Sequence, residues 1–144
     1  MGSKRKRSGR LWKLSEEAKV KLAVIGAGSW GTTYAKVLAD SGHEVTLYSR
    51  RVELAEEINT HKRNADYLPG ITLPANVEAT ADLEKALKDA EQVYLAIPSN
   101  TLRDFLLASK GLFADAIVVS LMKGLESSTQ QRMSQVIIEA AEID

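Results

Sequence analysis

The chain has no cysteine, which excludes a disulfide framework and any thiolate-ligated zinc centre. It has no excess of either charge, with 19 basic and 19 acidic side chains. That balance gives no electrostatic argument for nucleic acid or an anionic membrane as partner. No apolar run approaches the roughly 20 residues of a membrane span. The only two histidines, His43 and His61, are too far apart to suggest a metal pair. Neither has the serine or aspartate arrangement of a catalytic triad. There is no internal repeat of fixed period. The lack of cysteine fits a cytoplasmic protein, and 144 residues with an ordinary apolar fraction fit one globular domain with a tail.

Residues 1–20 read as that tail. Lys4-Arg5-Lys6-Arg7 and Arg10 form a basic cluster. It is compatible with a nuclear signal or an anion-binding arm, but a disordered tail or an expression remnant is the favoured reading. Lys6 stands where a myristoylation pattern needs serine or threonine. Leu11, Trp12 and Leu14 are apolar, and Ser15-Glu16-Glu17 is a possible helix start.

What is present is a glycine-rich stretch, Lys21-Leu-Ala-Val-Ile-Gly26-Ala-Gly28-Ser29-Trp30-Gly31-Thr32. A short apolar run ends in glycine, and helical spacing follows with Trp30, Tyr34, Val37 and Leu38. Strand, glycine turn and helix together turn a bare G-x-G-x-x-G into a dinucleotide-binding expectation. Gly26 permits the tight turn, Gly28 lets a pyrophosphate approach the backbone, and Gly31 lets the helix lie against the sheet. The helix N-terminus then faces the phosphates.

The alternation continues. Ser41-Gly42 stops the first helix, and Glu44 to Tyr48 is a second strand. Arg51 to His61 is a second helix with Leu54, Ala55 and Ile58 on one face. Lys62 to Asn76 is irregular and long for a connection, which suggests a functional or packing role. Val77 to Thr80 is a short strand. Asp82 caps a helix bearing Leu83, Ala86, Leu87 and Ala90. Val93 to Ile97 and Ala116 to Met122 are further strands, each followed by helical spacing. This pattern predicts an α/β fold, a Rossmann-like doubly wound, mainly parallel sheet with helices on both faces. The ligand then lies beyond the carboxyl ends of the strands.

Those ends carry the candidate chemistry. An NAD site usually places a carboxylate after the second strand, to bind the ribose 2′-OH. Here Tyr48-Ser49-Arg50-Arg51 stands there. A guanidinium suits a 2′-phosphate, so NADP(H) is expected, with NAD(H) possible. The competing reading is solvated surface charge, although a helix start disfavours cations. Lys123 follows the last strand and suits a substrate phosphate or carbonyl, or is simply solvated there. Ser99 either caps a helix, the favoured reading, or donates toward a nicotinamide. Trp30 either shields a cofactor or packs in the core.

Five segments occur in order: Val24 to Thr32, Gly42-His-Glu-Val45, Tyr67-Leu-Pro-Gly70 with Leu73-Pro74, Ala96-Ile-Pro-Ser99, and Lys123-Gly124-Leu-Glu126. Together they resemble the N-terminal half of soluble bacterial NAD(P)-dependent glycerol-3-phosphate dehydrogenase, over residues 21–144. The resemblance implies hydride transfer to dihydroxyacetone phosphate, giving sn-glycerol 3-phosphate for phospholipid synthesis. It implies cofactor contacts at Ser29, Trp30, Arg50, Arg51 and Tyr67, and a Lys123 near nicotinamide and substrate. A homodimer is possible. Members of the family run to about twice this length, and a helical second domain supplies the catalytic lysine and most of the substrate pocket. No catalytic acid–base group is found in these 144 residues, so this chain is expected to bind cofactor without turnover. The basic tail and Met122, where the family more often has a small polar residue, depart from the pattern. A stand-alone NADP(H)-binding module and another NADP-dependent reductase, such as a ketopantoate-reductase-like enzyme, are the alternatives.

Overall fold

The computed structural model describes residues 19–113 and 115–143. The basic cluster, Trp12 and the Ser15 helix start lie outside them. Five strands form one sheet in the order β3-β2-β1-β4-β5, with every neighbouring pair parallel. The strands are β1 (Lys21–Ile25), β2 (Glu44–Tyr48), β3 (Val77–Thr80), β4 (Gln92–Leu95) and β5 (Ile117–Ser120). The helices are α1 (Ser29–Asp40), α2 (Val52–His61), α3 (Leu83–Leu87), α4 (Leu102–Ala108) and α5 (Met133–Ala141).

Both faces of the sheet are covered, as near-continuous apolar strands require. Along β1 the pleat sends Leu22 and Val24 to a core shared with Ala35 and Ala39 of α1 and with Leu54 and Ile58 of α2. Ala23 and Ile25 go to the opposite core, with Leu102 and Leu106 of α4 and Val136 and Ile137 of α5. The chain runs outward from β1 through β2 to β3, then returns to add β4 and β5 on the other side. The crevice of the doubly wound fold therefore opens beyond β1 and β4.

Several boundaries differ from the expectation. The stripe of α1 that packs is Gly31, Thr32, Ala35 and Ala39, whereas Trp30 and Val37 are 57% and 53% exposed. Small residues win the inner face because they let the helix approach the sheet closely. Large ones turn outward, with Tyr34 and Leu38 half-buried at the flanks. The helix α3 ends at Leu87, before Ala90, although Asp82 caps it as expected, with Oδ1 accepting from Lys85 N–H at 3.1 Å. β4 and β5 stop at Leu95 and Ser120, short of Ile97 and Met122. Ser41 and Gly42 end α1, Gly42 at φ +95°.

Residues 62–76 are irregular but well fastened. Leu73 is buried, and its N–H donates to Lys62 O at 2.7 Å. Asn76 Nδ2 donates to Ala39 O and His43 O at 2.8 and 2.7 Å. This segment runs from α2 back beneath α1 and reaches the glycine turn through Asn64.

Candidate functional site

The carboxyl ends of the strands are kept in line by backbone bonds past the sheet. Gly26 N–H donates to Tyr48 O at 3.1 Å, Ala96 N–H to Ile25 O at 2.8 Å, and Leu121 N–H to Leu95 O at 3.0 Å. Each connection leaving these strands is thus anchored at its first residue. Around them lies an open cleft of about 820 Å³. Its lining includes every position singled out from the sequence: Gly26, Gly28, Ser29, Trp30, Gly31, Arg50, Arg51, Tyr67, Ser99 and Lys123.

The glycines have separable roles. Gly26 adopts φ +114°, and a Cβ there would overlap the Ala96 carbonyl. A Cβ on Gly31 would overlap the Gly26 carbonyl and lie 3.2 Å from Ala96 Cβ. Both are demanded by the protein's own packing. Gly28 has an ordinary extended backbone at φ −74° and ψ −175°, and nothing lies within 4 Å of the position its Cβ would take. The protein leaves that space open at the start of a 12-residue helix. The first N–H groups of such a helix have no partner inside it. A dipole end with free donors and open space above Gly28 fits a pyrophosphate.

Asn64 has no surface exposure and holds this turn in place. Its Nδ2 donates to Ala27 O at 2.9 Å and to Thr32 Oγ1 at 2.8 Å. Its Oδ1 accepts from Tyr67 N–H at 3.2 Å. One buried amide therefore joins the glycine turn, the first turn of α1 and the backbone of Tyr67. Sequence reasoning missed Asn64. It sits in an irregular segment where no periodicity marks a buried position, so the polar fastening of the segment was not visible.

At the end of β2, buried Ser49 shapes the turn. Its Oγ accepts from Arg51 N–H at 3.1 Å and donates to Arg51 O at 3.2 Å. The two arginines then diverge. Arg51 Nη1 meets Asp66 Oδ2 at 2.7 Å. Its guanidinium is held more firmly protonated than usual, chiefly by the Asp66 hydrogen bond. Arg50 is exposed and has no ion pair among the described residues. The turn offers no carboxylate of its own at that place.

Trp30 stands exposed at the cleft and does not pack in the core. Its ring centroid is 5.9 Å from that of Tyr34, which is 5.2 Å from that of Tyr94. Ser99 does not cap α4. It begins a 3₁₀ turn, Ser99–Thr101, and no side chain caps either helical start. The entry is closed instead by Thr101 Oγ1 donating to Pro98 O at 2.9 Å. Ser99 is consequently left half-buried at the cleft.

Lys123 is exposed on the turn between β5 and α5, followed by Gly124 at φ +96°. A compact charged cluster holds that turn. Arg103 of α4 grips Glu126 with two bonds, Nε to Oε1 at 2.8 Å and Nη2 to Oε2 at 2.9 Å. Its Nη1 lies 3.2 Å from Glu139 Oε1, and its Nη2 donates to Gln131 Oε1 at 2.7 Å. The Arg103 bonds, with help from the Thr129 hydroxyl, lower the Glu126 carboxyl to about 2. A lone bridge, Leu125 to Arg132, closes the same turn.

A family model described as the N-terminus of NAD-dependent glycerol-3-phosphate dehydrogenase matches residues 21–144. A glycerol-3-phosphate dehydrogenase (NAD(P)+) of Leifsonia xyli is 52% identical over 122 residues, covering 84% of this chain and 33% of the relative. A second, from Mycobacterium bovis, is 54% identical over 118 residues, covering 81% of this chain and 35% of the relative. The solved glycerol-3-phosphate dehydrogenase of Saccharomyces cerevisiae superposes with a TM-score of 0.79 at 34% identity, over 87% of this chain and 40% of that one. The match thus spans about a third of the length of these curated relatives. A match over all of residues 21–144, on a fold and cleft of the expected kind, places this chain in the NAD-dependent glycerol-3-phosphate dehydrogenase N-terminal family.

Proposed function

We propose that residues 21–144 are the cofactor-binding domain of an NAD(P)H-dependent glycerol-3-phosphate dehydrogenase, a cytoplasmic enzyme that reduces dihydroxyacetone phosphate to sn-glycerol 3-phosphate for phospholipid synthesis. The observation that carries this reading is the single cleft joining the open Gly28 turn, Arg50, which has no ion pair among the described residues, and the exposed Lys123. The relatives bear NAD(P)+ in their names, which supports use of either dinucleotide. The bound nicotinamide would supply the hydride. Gly26 and Gly31 then shape the turn on which Gly28 and Ser29 hold the pyrophosphate at the N-terminus of α1, and Trp30 covers it. Arg50 receives the 2′-phosphate, with Arg51 and Tyr67 flanking the adenosine end. Ser99 lies on the nicotinamide side. Lys123 lies near the substrate, where an ammonium steadies a phosphate or a carbonyl oxygen as negative charge develops. We place the proton donor and most of the substrate pocket in the part of the enzyme corresponding to the relatives' remaining length. Homodimerisation belongs to the same reading.

Fluorescence titration of the chain with NADPH and NADH tests this. Arg50→Asp is expected to weaken NADPH binding far more than NADH binding, because a carboxylate repels the 2′-phosphate. Equal losses for both cofactors would sink the assignment. Oxidation of NADPH by the isolated chain with dihydroxyacetone phosphate would show that the proton donor has been misplaced.

A further inference from the structure

The adjacent arginines at the end of β2 differ in one respect. Arg51 is paired with Asp66 at 2.7 Å, and Arg50 is not paired among the described residues. Both members of the pair are about half exposed, so the bond itself adds little stability. Its placement is nevertheless built into the fold. Asp66 lies between buried Asn64, which is bonded to the glycine turn, and Tyr67, whose N–H is bonded to Asn64. The Asp66 carboxylate is thereby held at the rim of the cleft, and it cancels one of the two positive charges there.

We propose that Asp66 is a specificity-determining residue that neutralises Arg51, leaves Arg50 as the rim guanidinium without an ion pair among the described residues, and so keeps the site open to NADH as well as NADPH. This rests on the reading of that rim as the 2′ end of the dinucleotide. A 2′-phosphate is drawn by the net charge of the rim, whereas a ribose hydroxyl is almost indifferent to it. Two uncancelled guanidinium groups would favour the phosphate strongly, and one favours it moderately. The rim faces solvent, so salt screens the effect.

The test is titration of the chain with NADPH and NADH, comparing Asp66→Asn, Asp66→Ser, Asp66→Glu and Arg50→Ala with the unsubstituted chain. Removing the charge with either Asn or Ser is expected to move the ratio of dissociation constants about three- to tenfold toward NADPH. The shift shrinks as salt is raised. Asp66→Glu retains the charge and keeps the ratio within about twofold of its starting value. A ratio that stays put or moves toward NADH in the neutral variants, with native circular dichroism, would overturn the proposal. Arg50→Ala separates the two layers of the argument. If it leaves the ratio untouched, the reading of the rim has failed. If it lowers NADPH preference while the Asp66 variants do nothing, the inference alone has failed.

Discussion

The glycine turn after β1 is fastened by buried, uncharged contacts, whereas the Lys123 turn after β5 is fastened by charge near the surface. On the first wall, Gly31 packs against the Gly26 carbonyl and Asn64 bonds Ala27 and Thr32 without any exposure. On the second, the side chains of Arg103 and Glu126 retain 25% and 11% of their exposure, and Glu139 retains 56%. Close-packed backbone has little room to adjust. Ionic links in partial contact with water lengthen, exchange and respond to salt. The wall read as the pyrophosphate seat is thus the stiff one, and the wall bearing Lys123 is the compliant one.

The contrast can be broken most forcefully at Gly31. Gly31→Ala forces a methyl group into the Gly26 carbonyl, and neither backbone can withdraw. A loss of about 3 kcal/mol or more is expected in urea unfolding. Gly28→Ala is the matched control. Its backbone suits alanine and the space is open, so stability stays within about 0.5 kcal/mol while NADPH affinity falls. Comparable unfolding in the two variants would refute the separation of roles.

Asn64→Ala comes next. It leaves the Ala27 carbonyl, the Thr32 hydroxyl and the Tyr67 N–H without their partner, at a cost of about 2 kcal/mol. Thermal melts check the stability, and binding of both dinucleotides is expected to weaken together.

The smallest effect falls on the charged wall. Arg103→Ala is expected to destabilise the domain less than either change above, and by an amount that shrinks with added salt. Acid probes the same link. The Glu126 carboxyl is lowered from 4.5 to about 2, so its contribution is complete above about pH 4.5 and is lost as pH falls through about 2. Glu126→Gln should flatten that part of the stability–pH curve. An unchanged curve would mean that Glu126 contributes nothing to holding the turn.

Much of this architecture was legible from local patterns. The order of elements followed from apolar runs alternating with helical spacing, and the caps at Asp82 and Gly42 followed from residue chemistry. All ten site positions lie on one cleft because each follows a strand or lines the adjoining loop, and parallel strands collect their ends on one side. What stayed hidden depends on contacts distant in sequence. Asn64, Asp66 and the Arg103–Glu126 grip join segments whose meeting only the folded sheet creates. The inner stripe of α1 stayed hidden because helical spacing marked large apolar residues such as Val37, while close helix–sheet packing rewards small side chains. Ser99 was misplaced because a 3₁₀ turn intervenes before α4.

The sheet order also bears on the sequence of events in folding. Lys21 pairs with Glu44 across a short excursion of the chain, but Leu22 must find Gln92 on the far side of it. Closing that larger loop sacrifices more chain entropy before any contact returns it. The β1–β4 seam is therefore expected to close after the β1–β2 pairing, and the glycine turn stands at its end. A molecule seated across the seam acts as a clasp on the two halves. Amide protons of Ala23 and Val93 should exchange more slowly when the cleft is filled, even though neither residue touches its contents.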